Sequence, residues 1–303
     1  MNRRDTLLAA LVVTVWGFNF VVIQWGMRGV PALLFAAIRF TVVLIPAVFL
    51  VPKPDAPWRT ILGVGAFMSL GQFALLYSSM HAGMPPGLAA LVLQSQVILT
   101  IVFAAGVLRE RPTTAQVAGV ALGSVGLVVV AVGRGGHVTV GALVLCLLAG
   151  VSWAVGNVIS RSSGIRGGLS LTVWSAVVVP VPLFVLSLLL DGPAAVGDAL
   201  AGFGWRNVAS TAYTACLASL FGYAIYNGLL SRYPSSAVVP WALWGPVVAM
   251  AAGWALLDQR PNGAELTGGG LLLVGVLIAL RPRRTVVAPA TADAPTGVAT
   301  APP

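Results

Sequence analysis

Polar side chains that could bind a ligand stand inside long apolar runs of this 303-residue sequence. Arg39 is the most unusual of them. It lies eight residues after Pro31, about 12 Å along a helix, and a charge so far inside an apolar run is costly. A guanidinium at this depth could bind a substrate carboxylate or gate a cavity. It could equally donate hydrogen bonds to backbone carbonyls of neighbouring helices, and the sequence leaves both roles open.

Two tryptophan–asparagine pairs are candidates for a ligand site. Trp16 precedes Asn19 by three residues and Trp153 precedes Asn157 by four, so each pair shares one helix face. An aromatic ring beside an amide suits an amino-acid-like ligand, which favours a place in a binding cleft. The alternative is that the two amides supply hydrogen bonds between helices, as small polar residues do in membranes.

Three glutamines also lie in apolar runs. Ser69, Gln72 and Ser79 recur at helical spacing, so their side chains form one polar stripe. Gln94 and Gln96 are two residues apart and cannot share a face, whereas Gln96 and Thr100 can. All three glutamines are predicted site residues, and we expect at least one of Gln94 and Gln96 to touch the ligand.

Residues in the second half of the chain complete the predicted site. Tyr223, Tyr226 and Asn227 fall at positions i, i+3 and i+4, so they share one helix face. Trp244 lies between two prolines six residues apart, which favour a broken helix whose free backbone groups could meet a substrate. An interfacial aromatic belt is the alternative for a tryptophan, but Trp244 lies deep enough in its run to favour the site.

These residue types favour binding over catalysis. No carboxylate lies deep in an apolar run, and Cys146 and Cys216 lack the spacing of a disulfide framework or a metal site. We therefore expect no metal, no other cofactor and no enzyme activity. His81, at the end of one run, is the only candidate that titrates between pH 5 and 8. Proton coupling, substrate exchange and facilitated diffusion all stay open.

The apolar runs have the length of membrane-spanning helices. The sequence is 58% hydrophobic and 8% charged, with a mean hydropathy of +0.95, whereas soluble domains are about 25% charged. A span needs about 20 apolar residues, and the runs of suitable length predict an all-α polytopic membrane protein in the lipid bilayer. The ten predicted spans are 7–27, 32–51, 60–80, 88–108, 115–132, 140–159, 169–190, 208–230, 237–257 and 264–280.

Basic residues predict the orientation of these spans. With the N-terminus inside, twelve of the 17 Lys and Arg residues fall on the inner side and four on the outer side, namely Arg28, Arg134, Arg206 and Arg260. The positive-inside rule therefore places both termini in the cytoplasm. Because the net charge of +9 has this topological explanation, we expect no nucleic-acid partner.

The second half of the chain repeats the first. A shift of 149 residues matches, without a gap, Leu108/Leu257, Arg111/Arg260, Pro112/Pro261, Gly119/Gly268 and Gly126/Gly275. Each half then holds five spans, and because five is odd, the halves enter the membrane in opposite directions. Such inverted repeats are typical of secondary transporters, whose substrate site lies between the halves. We expect five-helix repeats at 1–135 and 136–284 and a disordered cytoplasmic tail at 285–303.

The repeat bears on two further expectations. The residues matched to Gln94 and Gln96 are Leu243 and Gly245, so the repeat architecture does not need these amides, which favours contact with substrate. The mirrored glycines of the fifth and tenth spans allow close backbone approach. They predict that these two spans pack together or form the face of a homodimer.

Several motifs carry a family resemblance: WGFNFVVI at 16–23, AAIRF at 36–40, GMPPGLAALVLQSQ at 83–96, RERP at 109–112 and SWAVGN at 152–157. These motifs resemble EamA-type exporters of the drug/metabolite transporter superfamily, and within it the branch that exports O-acetylserine and cysteine. The resemblance covers residues 1 to about 282. It implies ten helices, both termini inside, and export of amino acids or their derivatives by alternating access.

Other functions stay open from the sequence. The protein could export or exchange another small metabolite or a drug, or it could form a channel. Saturable flux with counter-transport would distinguish a carrier from a channel. A membrane enzyme is disfavoured because the spans hold no cluster of catalytic groups. We expect a multi-pass protein of the cell membrane, as a monomer or a homodimer, with a small amino-acid-like substrate.

Overall fold

The computed structural model describes residues 1–133, 138–164 and 169–281, and all regular structure in these ranges is helical. Nine helices of the described ranges are long and apolar enough to span a membrane, and the tenth is a 17-residue apolar helix. The expected all-α, ten-helix fold is confirmed. The proposed tail at 285–303, and the proposed repeat boundary between 135 and 136, lie outside the described residues. The ten helices are α1 (Arg3–Gly26), α2 (Ala32–Leu50), α3 (Trp58–His81), α4 (Pro86–Val107), α5 (Thr114–Gly133), α6 (Val140–Ser162), α7 (Leu169–Leu190), α8 (Trp205–Arg232), α9 (Val239–Leu257) and α10 (Gly263–Ala279), and the short helix Pro193–Ala201 joins α7 to α8.

Equivalent side-chain caps begin α5 and α10. The Gln116 backbone N–H donates to Thr113 Oγ1 at 3.2 Å, and the Thr113 N–H donates to Gln116 Oε1 at 2.8 Å. Asn262 and Glu265, 149 residues later, form the same reciprocal pair at 2.9 and 3.0 Å. Such a capping box satisfies backbone donors that the first turn leaves free. Glu265 is therefore a capping carboxylate in the first turn of α10.

Backbone irregularities recur at the same 149-residue spacing. Arg109 and Asp258 are the non-glycine residues with positive φ among those described, at 53° and 54°, and both follow a long helix. Gln94 interrupts α4 with φ −65° and ψ −14°, and Leu243 ends the 3₁₀ turn of α9 with φ −69° and ψ −16°. The broken helix expected near residue 244 is therefore present. Its break is a property of the repeat, since α4 has no proline at this position.

A π-helical segment interrupts the third helix of each repeat. In α3 it covers Gly65–Gly71, and in α8 it covers Tyr213–Phe221. A shift of 149 residues maps the first segment onto the interior of the second. The π-helix widens the turn and shifts its backbone carbonyls, and it occurs frequently at functional sites. The two repeats thus share a local distortion that residue types alone do not reveal.

Helices α5 and α10, which the repeat makes equivalent, pack against each other in opposite directions. A Cβ built on Gly126 would lie 2.5 Å from the Gly268 carbonyl O, and one built on Gly268 would lie 2.6 Å from the Gly126 carbonyl O. Gly119 and Gly275 meet in the same way. Residue numbers rise along one helix as they fall along the other, so the two halves are inverted. The predicted packing of the fifth and tenth spans is confirmed within one chain.

The remaining helix pairs obey the same two-fold relation. Helix α1 packs on α8 and α9, its equivalent α6 packs on α3 and α4, and α2 packs on α7. A large apolar core includes Ile23, Phe35, Tyr77 and Leu91, all less than 2% exposed. This packing leaves a space between α2, α3, α6, α7 and α8, and the candidate site lies there.

We expect Gly268→Ala to lower the free energy of unfolding by about 1–3 kcal/mol, because the added methyl meets a backbone carbonyl that cannot move aside. Gly270→Ala is the matched control on the same helix. A Cβ there meets nothing within 4 Å, so it should be neutral or stabilising by about 0.5–1 kcal/mol. Thermal unfolding in detergent measures both, and equal effects would contradict the close crossing of α5 and α10.

Candidate functional site

A cavity of about 250 Å³ lies inside the bundle between α2, α3, α6, α7 and α8. Its lining reaches Ser160, near the last residue of α6, and Leu169, the first residue of α7. These positions lie at the end of the bundle where α1 begins, so the cavity extends toward that end. Half of the predicted site residues line it, namely Arg39, Gln72, Trp153, Tyr223, Tyr226 and Asn227.

Arg39 lies in the wall of this cavity and is only 4% exposed. Its Nη1 donates to the Tyr77 hydroxyl oxygen at 2.8 Å and its Nη2 donates to Ser219 Oγ at 3.0 Å, while its Nε has no partner among the described residues. The guanidinium carbon lies 4.6 Å from the ring centre of Phe73. None of the ion pairs found among the described residues involves Arg39. Neutral dipoles and aromatic faces therefore surround the charge.

The two π-helical segments position groups beside Arg39. The segment in α8 carries Ser219, whose hydroxyl accepts from Arg39 and donates to the Thr214 carbonyl O at 2.8 Å. The segment in α3 carries Ser69 and ends directly before Gln72, which is 2% exposed and whose side chain lines the cavity. Ser69 and Gln72 of the predicted stripe thus line the cavity, whereas Ser79 donates to the Ala142 carbonyl O at 2.6 Å and lies outside the lining. Both repeats contribute polar groups to the cavity.

Aromatic side chains of α8 form a second wall, and Trp16 of α1 packs against them. Trp16 does not line the cavity, but its ring centre lies 5.3 Å from that of Tyr223 and 5.0 Å from that of Tyr226. Its Nε1 donates to the Ala218 carbonyl O at 2.8 Å, inside the π-helical segment of α8. Asn227 Nδ2 donates to the Tyr223 carbonyl O at 2.8 Å, which leaves its side-chain oxygen free to accept a hydrogen bond. Trp16 supports the cavity wall from behind.

Several predicted site residues lie outside the lining. Asn157 Nδ2 donates to Gln96 Oε1 and to Thr100 Oγ1, each at 3.2 Å, and so joins α6 to α4. Asn19 is buried, with an Oδ1 that lacks a described partner, and Gln94 is half-buried at the break in α4. For Asn157 and Gln96, the contacts fit the interhelical hydrogen bonding that the sequence left open.

Trp244 also lies away from the cavity, so the structure does not support its predicted place in the site. It is 58% exposed, in a groove between α9 and α10 that Leu273 and Leu277 also line. The 3₁₀ turn before Trp244 changes the rotation of α9 about its axis. The depth of Trp244 along the span therefore did not predict the direction in which its side chain points. The exposed ring on an apolar outer face fits contact with lipid.

Sequence reasoning missed a buried carboxylate at the start of α1. Asp5 is 2% exposed, accepts from Arg232 Nη1 at 3.2 Å and accepts from the Tyr233 hydroxyl at 2.8 Å. The Asn2 side chain caps its backbone N–H at 2.8 Å. Hydropathy started the first span at residue 7 and excluded Asp5. The acid three residues after an Asn was the available sign that the helix begins earlier.

Small hydroxyl residues of the lining were missed as well, chiefly Thr172, Ser175 and Ser219. Ser175 Oγ donates to the Thr172 carbonyl O at 3.1 Å, within its own helix. Since Ser and Thr commonly satisfy their hydroxyls in this way, their presence in an apolar run carries no signal for a binding site.

Comparisons with known proteins agree with this arrangement. The sequence profile of the EamA-like transporter family matches the chain twice, at residues 5–132 and 140–281. A probable amino-acid metabolite efflux pump of Escherichia coli is 40% identical over 295 residues, which cover 94% of this chain and 99% of that protein. A probable terminal-alkyne amino-acid exporter of Streptantibioticus cattleyicolor is 28% identical over 285 residues, covering 89% and 91%. A solved crystal structure with 19% identity and a TM-score of 0.60 covers 92% of this chain and 97% of its own, and it shows the same fold.

Two glutamines test which part of the molecule meets the substrate. We expect Gln72→Ala to lower the transport rate about two- to tenfold, the range of one lost hydrogen bond, because its side chain lines the cavity. Gln94→Ala is the matched control, since Gln94 lies outside the lining, and it should leave transport within a factor of two. Transport into proteoliposomes, normalised to reconstituted protein, measures both. The reverse order of effects would move the site to the break in α4.

Proposed function

The chain belongs to the EamA-like transporter family, and we propose that it exports small zwitterionic metabolites by alternating access through the central cavity. Amino acids or their derivatives, of the O-acetylserine and cysteine kind, are the favoured substrates. The sequence motifs imply this class, and the names of relatives as amino-acid metabolite efflux pumps and an amino-acid exporter support it. Another small metabolite or drug remains the alternative cargo.

Arg39 is the observation that carries the proposal. A buried guanidinium costs free energy unless charge or hydrogen bonds compensate it, and Arg39 has only two described acceptors, Tyr77 and Ser219, both neutral. Its fork can hold a carboxylate through two parallel hydrogen bonds. A zwitterionic substrate would bring the missing negative charge into the cavity and would leave with it.

The ammonium end of such a substrate meets a different wall. The described lining of the cavity contains no Asp or Glu, but Tyr223, Tyr226 and Trp153 offer ring faces, which attract cations, and Asn227 offers an amide oxygen. A substrate with a second positive charge would find no acidic partner there. The cavity therefore suits neutral zwitterions better than lysine- or arginine-like molecules.

The proposed orientation has both termini in the cytoplasm, supported by the excess of basic residues on that side. In this orientation the cavity extends toward the cytoplasm, where a metabolite for export would be loaded. At the opposite end, Asn207 Nδ2 donates to the carbonyl oxygens of Gly26 (2.9 Å) and Arg28 (3.2 Å) and so ties α8 to the α1–α2 turn. Opening to the outside would require this end to separate.

Arg39→Lys tests the proposed anchor. Lysine keeps the charge but loses the planar fork, so we expect uptake of a carboxylated substrate to fall roughly tenfold or more. The loss should be smaller for the amide of the same substrate, which has no carboxylate to hold. Uptake of labelled substrate into proteoliposomes measures the rates. Uptake that saturates with substrate concentration, and that unlabelled substrate inside the vesicles accelerates, indicates a carrier rather than a channel.

Tyr77→Phe is the control for a structural role of Arg39. Tyr77 is fully buried and does not line the cavity, so its loss removes one hydrogen bond from Arg39 without removing a lining group. It should lower the thermal stability more than it changes the preference for carboxylate over amide. Normal uptake of every carboxylated substrate by the Arg39→Lys variant would end the anchor hypothesis.

Single cysteines test the proposed orientation. A cysteine at Ser170, beside the end of α2, should react only from the cytoplasm, as should one at Thr285, which lies outside the described residues. A cysteine at Gly197, where a Cβ meets nothing within 4 Å, should react only from outside. Labelling of intact cells and of inverted vesicles with a membrane-impermeant maleimide measures this. Cytoplasmic labelling at Gly197 would refute the orientation.

A further inference from the structure

A second and larger space lies on the outside of the bundle, between α1 and α8, at the end opposite Ser160 and Leu169. It has a volume of about 440 Å³. We propose that this groove binds an anionic phospholipid of the outer leaflet, with the phosphate at Arg28 and Arg206 and an acyl chain along the apolar floor. The residues that line the groove are Phe18, Val22, Trp25, Arg28, Trp205, Arg206, Ala209, Ser210 and Tyr213.

The charges of this groove are unusual for their position. In the proposed orientation the outer side carries only four basic residues against twelve inside, because positive charge on the outer side opposes correct insertion. Two of those four, Arg28 and Arg206, line this one groove. Both are exposed, and neither forms an ion pair with a described residue. Two guanidinium groups that line one groove at a bilayer surface can hold a phosphate through several hydrogen bonds.

The distribution of polarity along the groove favours a lipid over a soluble anion. Val22 and Phe18 precede Gly26, the last residue of α1, by four and eight residues, so they lie about 6 and 12 Å from the helix end beside Arg28. Tyr213 follows Arg206 by seven residues, about 10 Å along α8. The charges therefore stand at one end of an apolar floor that extends toward the bilayer centre. Free phosphate or an amino acid would leave this floor unused, whereas an acyl chain covers it.

The walls of the groove are held in place by the protein itself. The ring of Phe18 packs edge to face against Trp25 and Tyr213, with centres 6.0 and 5.8 Å apart. The Tyr213 hydroxyl donates to the Val15 carbonyl O at 3.1 Å. Beside the arginines, Asn207 holds the start of α8 against the α1–α2 turn. A preformed groove needs little ordering to accept its ligand.

Thermal unfolding of the purified protein in detergent tests the proposal. Phosphatidylglycerol should raise the Tm by about 2–4 °C, whereas phosphatidylcholine with the same acyl chains and glycerol 3-phosphate without chains should not. The double variant Arg28→Gln/Arg206→Gln should lose most of this rise. Arg260→Gln, the control at another outer-side arginine, should keep it.

Three results would overturn the proposal. Equal stabilisation by the two lipids would remove the role of the charge. A full effect of glycerol 3-phosphate alone would make the groove a site for soluble anions. An unchanged response of the double variant would place the lipid elsewhere. If the double variant does not fold, the single variants Arg28→Gln and Arg206→Gln replace it. Each single variant should lose part of the rise in Tm, and a full rise in both would overturn the proposal. None of these readouts uses transport, so the result is independent of the proposed substrate.

Discussion

The uncompensated charge of Arg39 is the constraint on which the central site depends. A guanidinium that is 4% exposed inside a membrane-spanning bundle must have acceptors. The structure supplies the Tyr77 and Ser219 hydroxyls and the face of Phe73. These neutral groups hold the side chain in one place without cancelling its charge. A carboxylate in the lining would compete with an anionic group for Arg39. The described lining contains none, which suits the proposed binding and release of a substrate carboxylate.

The inverted repeat provides a symmetric scaffold for an asymmetric site. The equivalent helices α5 and α10 cross where glycines allow backbone contact, and α3 and α8 carry matched π-helical segments. The side chains on this scaffold differ between the halves. Gln96 of α4 is hydrogen-bonded to Asn157 of α6. Its counterpart in α9 is Gly245, which packs against Gly17 of α1: a Cβ added to Gly17 would lie 2.5 Å from the Gly245 carbonyl O. The amide present in only one half thus joins helices, which accounts for its asymmetry without a substrate.

The sequence predicts much of the fold, and half of the predicted site residues line the cavity. Span length and the 149-residue match predict ten helices in two inverted halves. The free-energy cost of a charge deep in a membrane span identifies Arg39 as a candidate site residue. Shared helix faces group Tyr223, Tyr226 and Asn227, but they do not tell which neighbour a face meets. That depends on helix rotation and pairing, so Trp16 contacts α8 and Trp244 points outward. The π-helical segments have no signature in residue type, so the position of Ser219 beside Arg39 could not be foreseen.

The distance between the substrate carboxylate and Arg39 tests the central claim most directly. Solid-state NMR of the reconstituted protein can measure it, with a ¹³C-carboxyl-labelled amino acid that the protein transports and ¹⁵N-labelled arginine. We expect a carboxyl carbon within about 4 Å of a guanidinium nitrogen, the separation of a charge-assisted hydrogen bond, and loss of this contact in the Arg39→Lys protein. A bound substrate whose carboxyl carbon shows no arginine nitrogen at this distance, or the same contact in the Arg39→Lys protein, would contradict it.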